Sequence, residues 1–299
     1  MNIPIVLIIY RRPDLVKQLV NSLRKFSPQN IYVVADGPKS GKEESLCEES
    51  RSVIDLIDWP CHIHKVYSKT NMGLRNRVVS GLNYVFDREK WAIILEDDLV
   101  LGSSFLKYAE SLLKKYEKDK RIITINGNNF LFNDTLVKDS YYFTKYVHSW
   151  GWATWKRAWK LYDDNMTNWP KIRDTDLLKQ SLKSRISALY WKMIFDMVYA
   201  GNVDSWAYRW TYSALINQKL CINPKYNLVS NVGYGKDASH TKYKSRLLNM
   251  PIRELTFPLK HPKQAIISEK LDKIIERHCY LTPIVALSLF IKSILRIKI

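Results

Sequence analysis

Trp91-Ala-Ile-Ile-Leu95-Glu96-Asp97-Asp98-Leu99 joins a short apolar run directly to three adjacent carboxylates. Five apolar residues bounded by polar ones read as a buried strand, so the acidic side chains fall at its carboxyl end. Three carboxylates placed there repel one another unless a cation or a proton relieves them. Oxygen ligands of this kind suit Mg²⁺ or Mn²⁺, ions that keep positions free for phosphate oxygens. The competing reading is an acidic loop solvated at a strand end; the surrounding pattern favours the metal.

Upstream, Ile3 to Tyr10 is a continuous β-rich run, and Leu15, Val16, Leu19, Val20 and Leu23 then recur at helical spacing between Pro13 and Phe26. Asn30 to Asp36 reads as a second strand closed by Gly37-Pro38, followed by a helix around Glu44 to Ile57. A strand at His62 to Tyr67, a turn at Asn71-Met-Gly73 and a helix from Leu74 to Phe86 complete the run into Trp91. The alternation predicts an α/β fold with a mostly parallel, Rossmann-like sheet and helices on both faces. In such sheets ligands collect at the carboxyl ends of strands, where Arg11, Arg12, Asp36 and the acidic trio all fall. Downstream come a helix at Ser104 to Lys118, a strand at Ile122 to Ile125, and a stretch over 141–212 dense in Trp and Tyr. It shows no internal repeat and no low-complexity linker, so it is expected to pack against the first sheet as one body.

With 46% hydrophobic residues among 299, the chain has enough apolar material for a buried core, which argues against a disordered or fibrous protein. Cys47, Cys61, Cys221 and Cys279 show neither CxxC nor CxH spacing, which argues against a zinc site or a disulfide framework and for a reducing compartment. Lys and Arg total 47 against 29 Asp and Glu, and the resulting +18 implies an anionic partner: nucleic acid, a phosphorylated substrate or an acidic membrane surface. Ile3 to Tyr10 is too short for a signal peptide and is followed, not preceded, by arginines.

With the trio in place, the chain resembles the GT-A glycosyltransferases, particularly bacterial relatives of N-acetylglucosaminyltransferase I, whose DXD-type motif often reads EDD. Tyr10-Arg-Arg-Pro-Asp14 is similar to that family's first strand-to-helix junction, and Asn71-Met-Gly-Leu-Arg75 to its donor-side turn. His148-Ser-Trp-Gly-Trp-Ala-Thr-Trp155 resembles its acceptor-side aromatic loop, and Asn231-Val-Gly-Tyr-Gly-Lys-Asp-Ala-Ser-His240 a late loop near the diphosphate. The ordered set spans about residues 3–241.

The resemblance implies a UDP-sugar donor whose diphosphate is held on Mn²⁺ or Mg²⁺ by Asp98, with Glu96 and Asp97 supporting and His240 as a second metal or diphosphate contact. It puts Asp36 where the family holds uracil or ribose, and makes Arg12 and Arg75 donor-side clamps, since guanidinium groups grip phosphate or a uracil carbonyl. Trp150 and Trp152 flank Gly151, where a missing side chain would let a sugar approach the backbone, with a core role as the equal alternative; Trp206 and Trp210 bracket position 207, and at least one of them is expected to shape the acceptor pocket. Asp237 and Ser239 are weaker candidates. Trp155 and Trp159 read as core, and His62 and His64 as alternating strand positions. Residues 1–125 would then be the nucleotide-sugar half, 126–245 the acceptor-binding and catalytic half of one GT-A domain, and 246–299 a basic carboxyl-terminal region.

Inverting transfer, which the resemblance implies, needs a general base for the acceptor hydroxyl. In the resembling proteins it is the Asp of a WD-type string, and here Ser205-Trp-Ala207-Tyr-Arg-Trp210 carries Ala207 at that position. A methyl group accepts no proton. Either the chain is inactive or uses another group, or nearby Asp204 has taken over, or the Asp was replaced recently or deliberately. A sugar-nucleotide-binding pseudoenzyme follows from the first explanation. A nucleotidyltransferase lacks support because no Gly-rich phosphate loop occurs near the start. A nucleic-acid-binding protein fits the charge, but the basic residues are dispersed and no binding module is recognisable, so nucleic acid is not expected as a partner.

Within 282–299, Ser288, Lys292 and Arg296 recur every four residues beside a wide apolar face. Such an amphipathic helix suits an anionic bilayer interface, and packing on the domain is its alternative. The expectation is a peripheral protein on the cytoplasmic face of a bacterial membrane, with a saccharide acceptor carried on a lipid such as a polyprenyl diphosphate. Removing residues 281–299 should release the protein from anionic liposomes in a flotation assay; unchanged binding counts against the anchor.

Overall fold

The computed structural model describes residues 3–233 and 247–281. The helix expected over 282–299 and the candidates Asp237, Ser239 and His240 lie outside the described residues.

Strands β1 (Ile5–Ile9), β2 (Asn30–Ala35), β3 (His62–Tyr67) and β4 (Trp91–Glu96) alternate with helices α1 (Pro13–Arg24), α2 (Gly41–Ser52) and α3 (Leu74–Arg88). All five β1 residues are buried, as a parallel strand covered on both faces requires. Helix α1 opens with Pro13 in its first turn, where the missing N–H leaves no bond unmade, and buries Val16, Leu19, Val20 and Leu23. Helix α2 begins three residues before the expected Glu44, because the Glu43 carboxylate reaches back to accept from the Lys39 N–H at 2.9 Å.

The second half adds β5 (Leu99–Leu101), α4 (Phe105–Lys115), β6 (Ile122–Asn126), β7 (Tyr141–Thr144) and β8 (Trp152–Trp155). Short helices α5 (Lys156–Trp159), α6 (Trp169–Ile172) and α7 (Leu177–Leu182) lead to α8 (Arg185–Tyr199) and α9 (Trp206–Ile216). Strands β9 (Leu220–Pro224) and β10 (Val229–Asn231) and helix α10 (Glu269–Cys279) complete the described elements.

Eight strands form one sheet in the order β3-β2-β1-β4-β8-β6-β9-β7. Strand β8 runs antiparallel to both β4 and β6, and β7 antiparallel to β9, so six of the eight strands point the same way. The fold is the mostly parallel α/β sheet that the alternation predicts. The 125/126 division of the sequence falls inside β6, which carries the sheet across it. A separate two-stranded ribbon pairs Leu99 with Asn231 and Leu101 with Val229, closing the end of the chain's second half over the β4 turn.

Trp152 and Trp155 lie three residues apart on β8 and so face opposite sides. Trp152 stacks on Trp206 of α9 at 5.5 Å, while the Trp155 indole donates to the Leu113 carbonyl of α4 at 3.1 Å. Helices therefore cover both faces. Trp155 and Trp159 are core residues. A second apolar cluster gathers Tyr146, Trp169, Trp191, Phe195 and Tyr212 with Leu271 and Ile275 of α10.

Helix α10, which the sequence pattern did not single out, is held by charge inside this cluster. Thr144 donates to Asp272, the Tyr146 hydroxyl to Glu276, and Lys145 Nζ lies 3.8 Å from Asp272. Burial pushes the Asp272 carboxyl up to about 7, aided by Glu276 and opposed by Thr144 and Lys145. The folded chain thus holds this proton more tightly than the unfolded one, whose ordinary value is 3.8. The stabilisation is complete below that value and is lost as pH rises through about 7. Asp272→Asn should flatten this stretch of a stability-versus-pH curve from urea unfolding; a slope equal to the parent's would show that Asp272 does not carry it.

Candidate functional site

The sheet order 3-2-1-4 reverses direction between β1 and β4, and the two segments that leave those strands meet at the resulting crevice. The Asp97 N–H donates to the Ile8 carbonyl at 3.1 Å, pinning the acidic turn to the end of β1. Arg12, which immediately precedes α1, sets its Nη2 against Asp97 and 3.1 Å from Asp98 Oδ2. From the other side Asn231 Nδ2 donates to Asp98 Oδ1 at 3.1 Å, and the Val232 N–H to the Asp98 carbonyl at 2.9 Å. A side chain at Gly233 would put its Cβ 2.2 Å from Asp98 Oδ2, so only glycine lets this loop close on the carboxylate.

Among the described residues, one guanidinium, that of Arg12, meets the three carboxyl groups of the trio. Burial, then repulsion from Asp98 and Asp97, pushes Glu96 up to about 8 despite Arg12. Burial raises Asp97 to about 6 with Arg12 opposing, and raises Asp98 as well. This is the chemistry of a cation site: hard oxygen donors whose charge the protein leaves partly unbalanced. Among the described residues no three His, Cys, Asp or Glu side chains converge on one point. The residues fit a divalent ion that takes one or two carboxylates from the protein and completes its shell with water or ligand oxygens, as Mg²⁺ does. Asp98 and Glu96 are the side chains that would hold it.

Asp36, at the end of β2, has both carboxylate oxygens filled. Oδ1 accepts from the N–H groups of Gly37 and Met72 at 2.9 Å, and Oδ2 from Asn71 Nδ2 and the Gly73 N–H at 3.1 Å. It is a positioning residue that fastens the 71–73 turn to the sheet; nothing remains on it for a nucleoside. The turn in turn starts α3, and Arg75 in its first turn lies 2.6 Å from Asp204 and donates to Asp164 at 3.0 Å. Arg209 of α9 donates to the carbonyls of Asp164 (2.7 Å) and Ser205 (3.1 Å). Arg75 and Asp204 therefore belong to one charged group across the α3–α9 junction, distinct from the Arg12 group.

Ala207 is the second residue of α9, half-buried against the main core, with Ser205 as the cap accepting from the Tyr208 N–H at 3.3 Å. Asp204 lies just outside the helix, with its side chain 61% exposed.

Two aromatic-loop expectations are corrected. Gly151 adopts φ +61°, and its missing side chain makes room for Val229 and Phe105, within 2.9 and 3.4 Å of a modest Cβ, rather than for a ligand. Trp152 has no exposed surface and Trp206 almost none; they form a stacked wall behind the crevice with Trp210 and cannot offer a ligand a ring face. Trp150 alone of this set is half-buried, held edge-on by Phe130 at 5.3 Å.

Asp164, Arg209 and Asn128 were not singled out from the sequence, and Asn231 and His148 entered only as the first residues of the late loop and the aromatic loop, with no role of their own. Among the described residues, both side-chain polar atoms of Asn128, His148 Nε2 and the Trp152 indole N–H are buried without a partner, at the carboxyl end of β6 and the approach to β8. Burial lowers His148 to about 3, so its ring is neutral. The polar run Asn126-Gly-Asn-Asn129 directly after a buried strand was the available signal.

No family model matches the chain, and no curated protein matches it. Among solved structures, a UDP-glucose pyrophosphorylase complexed with UDP-glucose aligns with 54% of this chain and 79% of its own, at 11% identity and a TM-score of 0.33. Apo-UDP-glucose pyrophosphorylase aligns with 74% of this chain and 90% of its own, at 11% identity and a TM-score of 0.36. At those scores neither structure informs the reading of the site.

Asp36→Ala deletes four buried acceptor contacts at once. It should lower unfolding stability by about 3 kcal/mol in urea titration, because several donors lose a charged partner; a midpoint within error of the parent would remove Asp36 from the turn's support.

Proposed function

We propose that the chain binds a nucleotide-sugar, of the UDP-sugar class, in the β1–β4 crevice and transfers the sugar to a saccharide acceptor. One observation carries the reading: a buried acidic trio and a single arginine face each other at the switch point of a mostly parallel sheet, where phosphorylated ligands gather. The resemblance of the ordered motifs to GT-A glycosyltransferases supports the reaction class; Asp98 and Glu96 would hold a Mn²⁺ or Mg²⁺ ion, which would supply charge neutralisation for a departing diphosphate.

Within the chain, Arg12 is placed to exchange its carboxylate partners for phosphate oxygens as ligand binds, since its guanidinium already sits on both aspartates. Asn231 and Gly233 hold Asp98 in place. Trp150, the half-buried ring of the aromatic loop, is the group that this reading offers to an acceptor sugar. Of the carboxylates by the start of α9, Asp204 is exposed and stands three residues before Ala207, so it takes the role of base in the active reading. The peripheral membrane site and lipid-linked acceptor belong to the same proposal, supported by the +18 charge and the stripe within 282–299. Among the described residues no helix is long and apolar enough to cross a membrane.

Ala207 favours a second reading, a sugar-nucleotide-binding protein without transfer. Calorimetry with UDP, GDP, CMP and their sugar conjugates, with Mn²⁺ and with chelator, should show metal-dependent binding of uridine nucleotides, abolished in Asp98→Asn. Binding indifferent to both metal and Asp98 would refute the site. If transfer is present and Asp204→Ala removes it, the enzyme reading stands; if only Ala207→Asp creates it, the chain is a binding protein as it exists.

A further inference from the structure

At the opposite end of the strands, where β4, β6 and β9 begin and β8 ends, lies a groove of about 590 Å³. That volume is in the range of small-molecule sites. Lys90, Lys120, Lys156, Arg157, Lys160 and Lys219 line it, against the single carboxylate of Glu117. The floor is apolar, made by Ile122, Trp155 and Leu161.

The cations are poorly neutralised from within. Lys90 lies 3.3 Å from Glu117, but both side chains are largely exposed and such a pair contributes little. Lys156 donates to the Asp87 carbonyl at 3.1 Å. Arg157 donates to the carbonyls of Tyr116, Glu117 and Ile122 at 2.8–2.9 Å and stacks over Trp155 at 4.3 Å, so its position is fixed while its charge meets no carboxylate in a hydrogen bond. Asp119 pairs with Arg121 at 2.7 Å and acts on Arg157 through charge alone, without a hydrogen bond between them among the described residues. Lys120, Lys160 and Lys219 make no ion pair among the described residues. Low-dielectric walls beneath a ring of one sign concentrate the field in the groove.

We infer that this groove is a binding site for a compact, multiply charged phosphate anion, separate from the acidic crevice. The concave shape suits a small polyphosphate rather than a flat bilayer, and the rigid Arg157 on its tryptophan floor gives a fixed anchor among mobile lysines. The site does not rest on the proposed transfer reaction: it occupies the other end of the strands.

The test uses the full chain and inorganic tripolyphosphate, titrated by calorimetry with chelator at physiological ionic strength. Saturable binding at one site is expected. Lys120→Glu with Lys160→Glu should weaken it about ten-fold or more, because two ammonium charges of the ring are reversed, while Lys17→Glu with Lys263→Glu, the same change in net charge on exposed residues elsewhere, should leave it within two-fold or so. Circular dichroism confirms that both double variants are folded. Equal loss in the two variants means the anion feels only the total charge and overturns the site. So does absence of saturable binding. Vesicles containing phosphatidylglycerol form the last arm: if the groove variant loses vesicle binding while keeping tripolyphosphate affinity, the groove faces a lipid surface and the small-anion assignment fails.

Discussion

The contact between Arg12 and the Asp97–Asp98 pair is the constraint on which the site depends. Three carboxyl groups at the end of a buried strand need a cation or a proton close by, and among the described residues one guanidinium meets them. Arg12 comes from the segment leaving β1 and the aspartates from the segment leaving β4. The interaction therefore closes the crevice between the two strands and at the same time leaves it electrostatically unfinished. In the function proposed above, a diphosphate with its cation would complete the balance, the cation answering the carboxylates and the phosphates Arg12. The same two-sided demand explains the Asn231–Gly233 clamp, which fixes Asp98 where a freely rotating carboxylate would turn to solvent.

Much of the first half was legible because parallel strands and their helices advertise themselves locally. The apolar runs at Ile3–Tyr10, Asn30–Asp36, His62–Tyr67 and Trp91–Leu95 became β1 to β4 within a residue or two at each end, and the Pro13 and Leu74 periodicities became α1 and α3. What escaped was decided at long range. Strand β8 has four residues, all buried, and its wedge between β4 and β6 follows from no local pattern. Helix α10 turns Asp272 and Glu276 inward, positions that read as a polar face until the hydroxyls of Thr144 and Tyr146 are brought to meet them.

The site shows the same division. The trio, Arg12 and the 71–75 turn were readable because each sits at the end of a local element. Asn231 was not, since 133 residues separate it from Asp98. Gly151 and Asp36 were assigned to a ligand on chemistry that the fold uses internally: a glycine that admits a valine and a phenylalanine, and a carboxylate whose four bonds all go to its own turn. A lone residue type beside an aromatic or at a strand end suits packing and binding equally well, and only the neighbours that arrive from distant sequence separate them.

Those internal uses also tie the two charged groups together. Asp36 anchors the 71–73 turn, the turn sets where α3 begins, Arg75 in that first turn holds Asp164 and Asp204, and Arg209 grips the carbonyls beside both. Trp206 then rests on Trp152, whose strand lies against β4. Except at the exposed Asp204, these links are buried or half-buried contacts, so the start of α9 is located relative to the acidic turn largely by the packed scaffold. In the transfer reaction proposed above, a fixed position is what a base would need; Ala207 carries no carboxylate there, and the neighbouring Asp204 lies 2.6 Å from the Arg75 that the turn supplies.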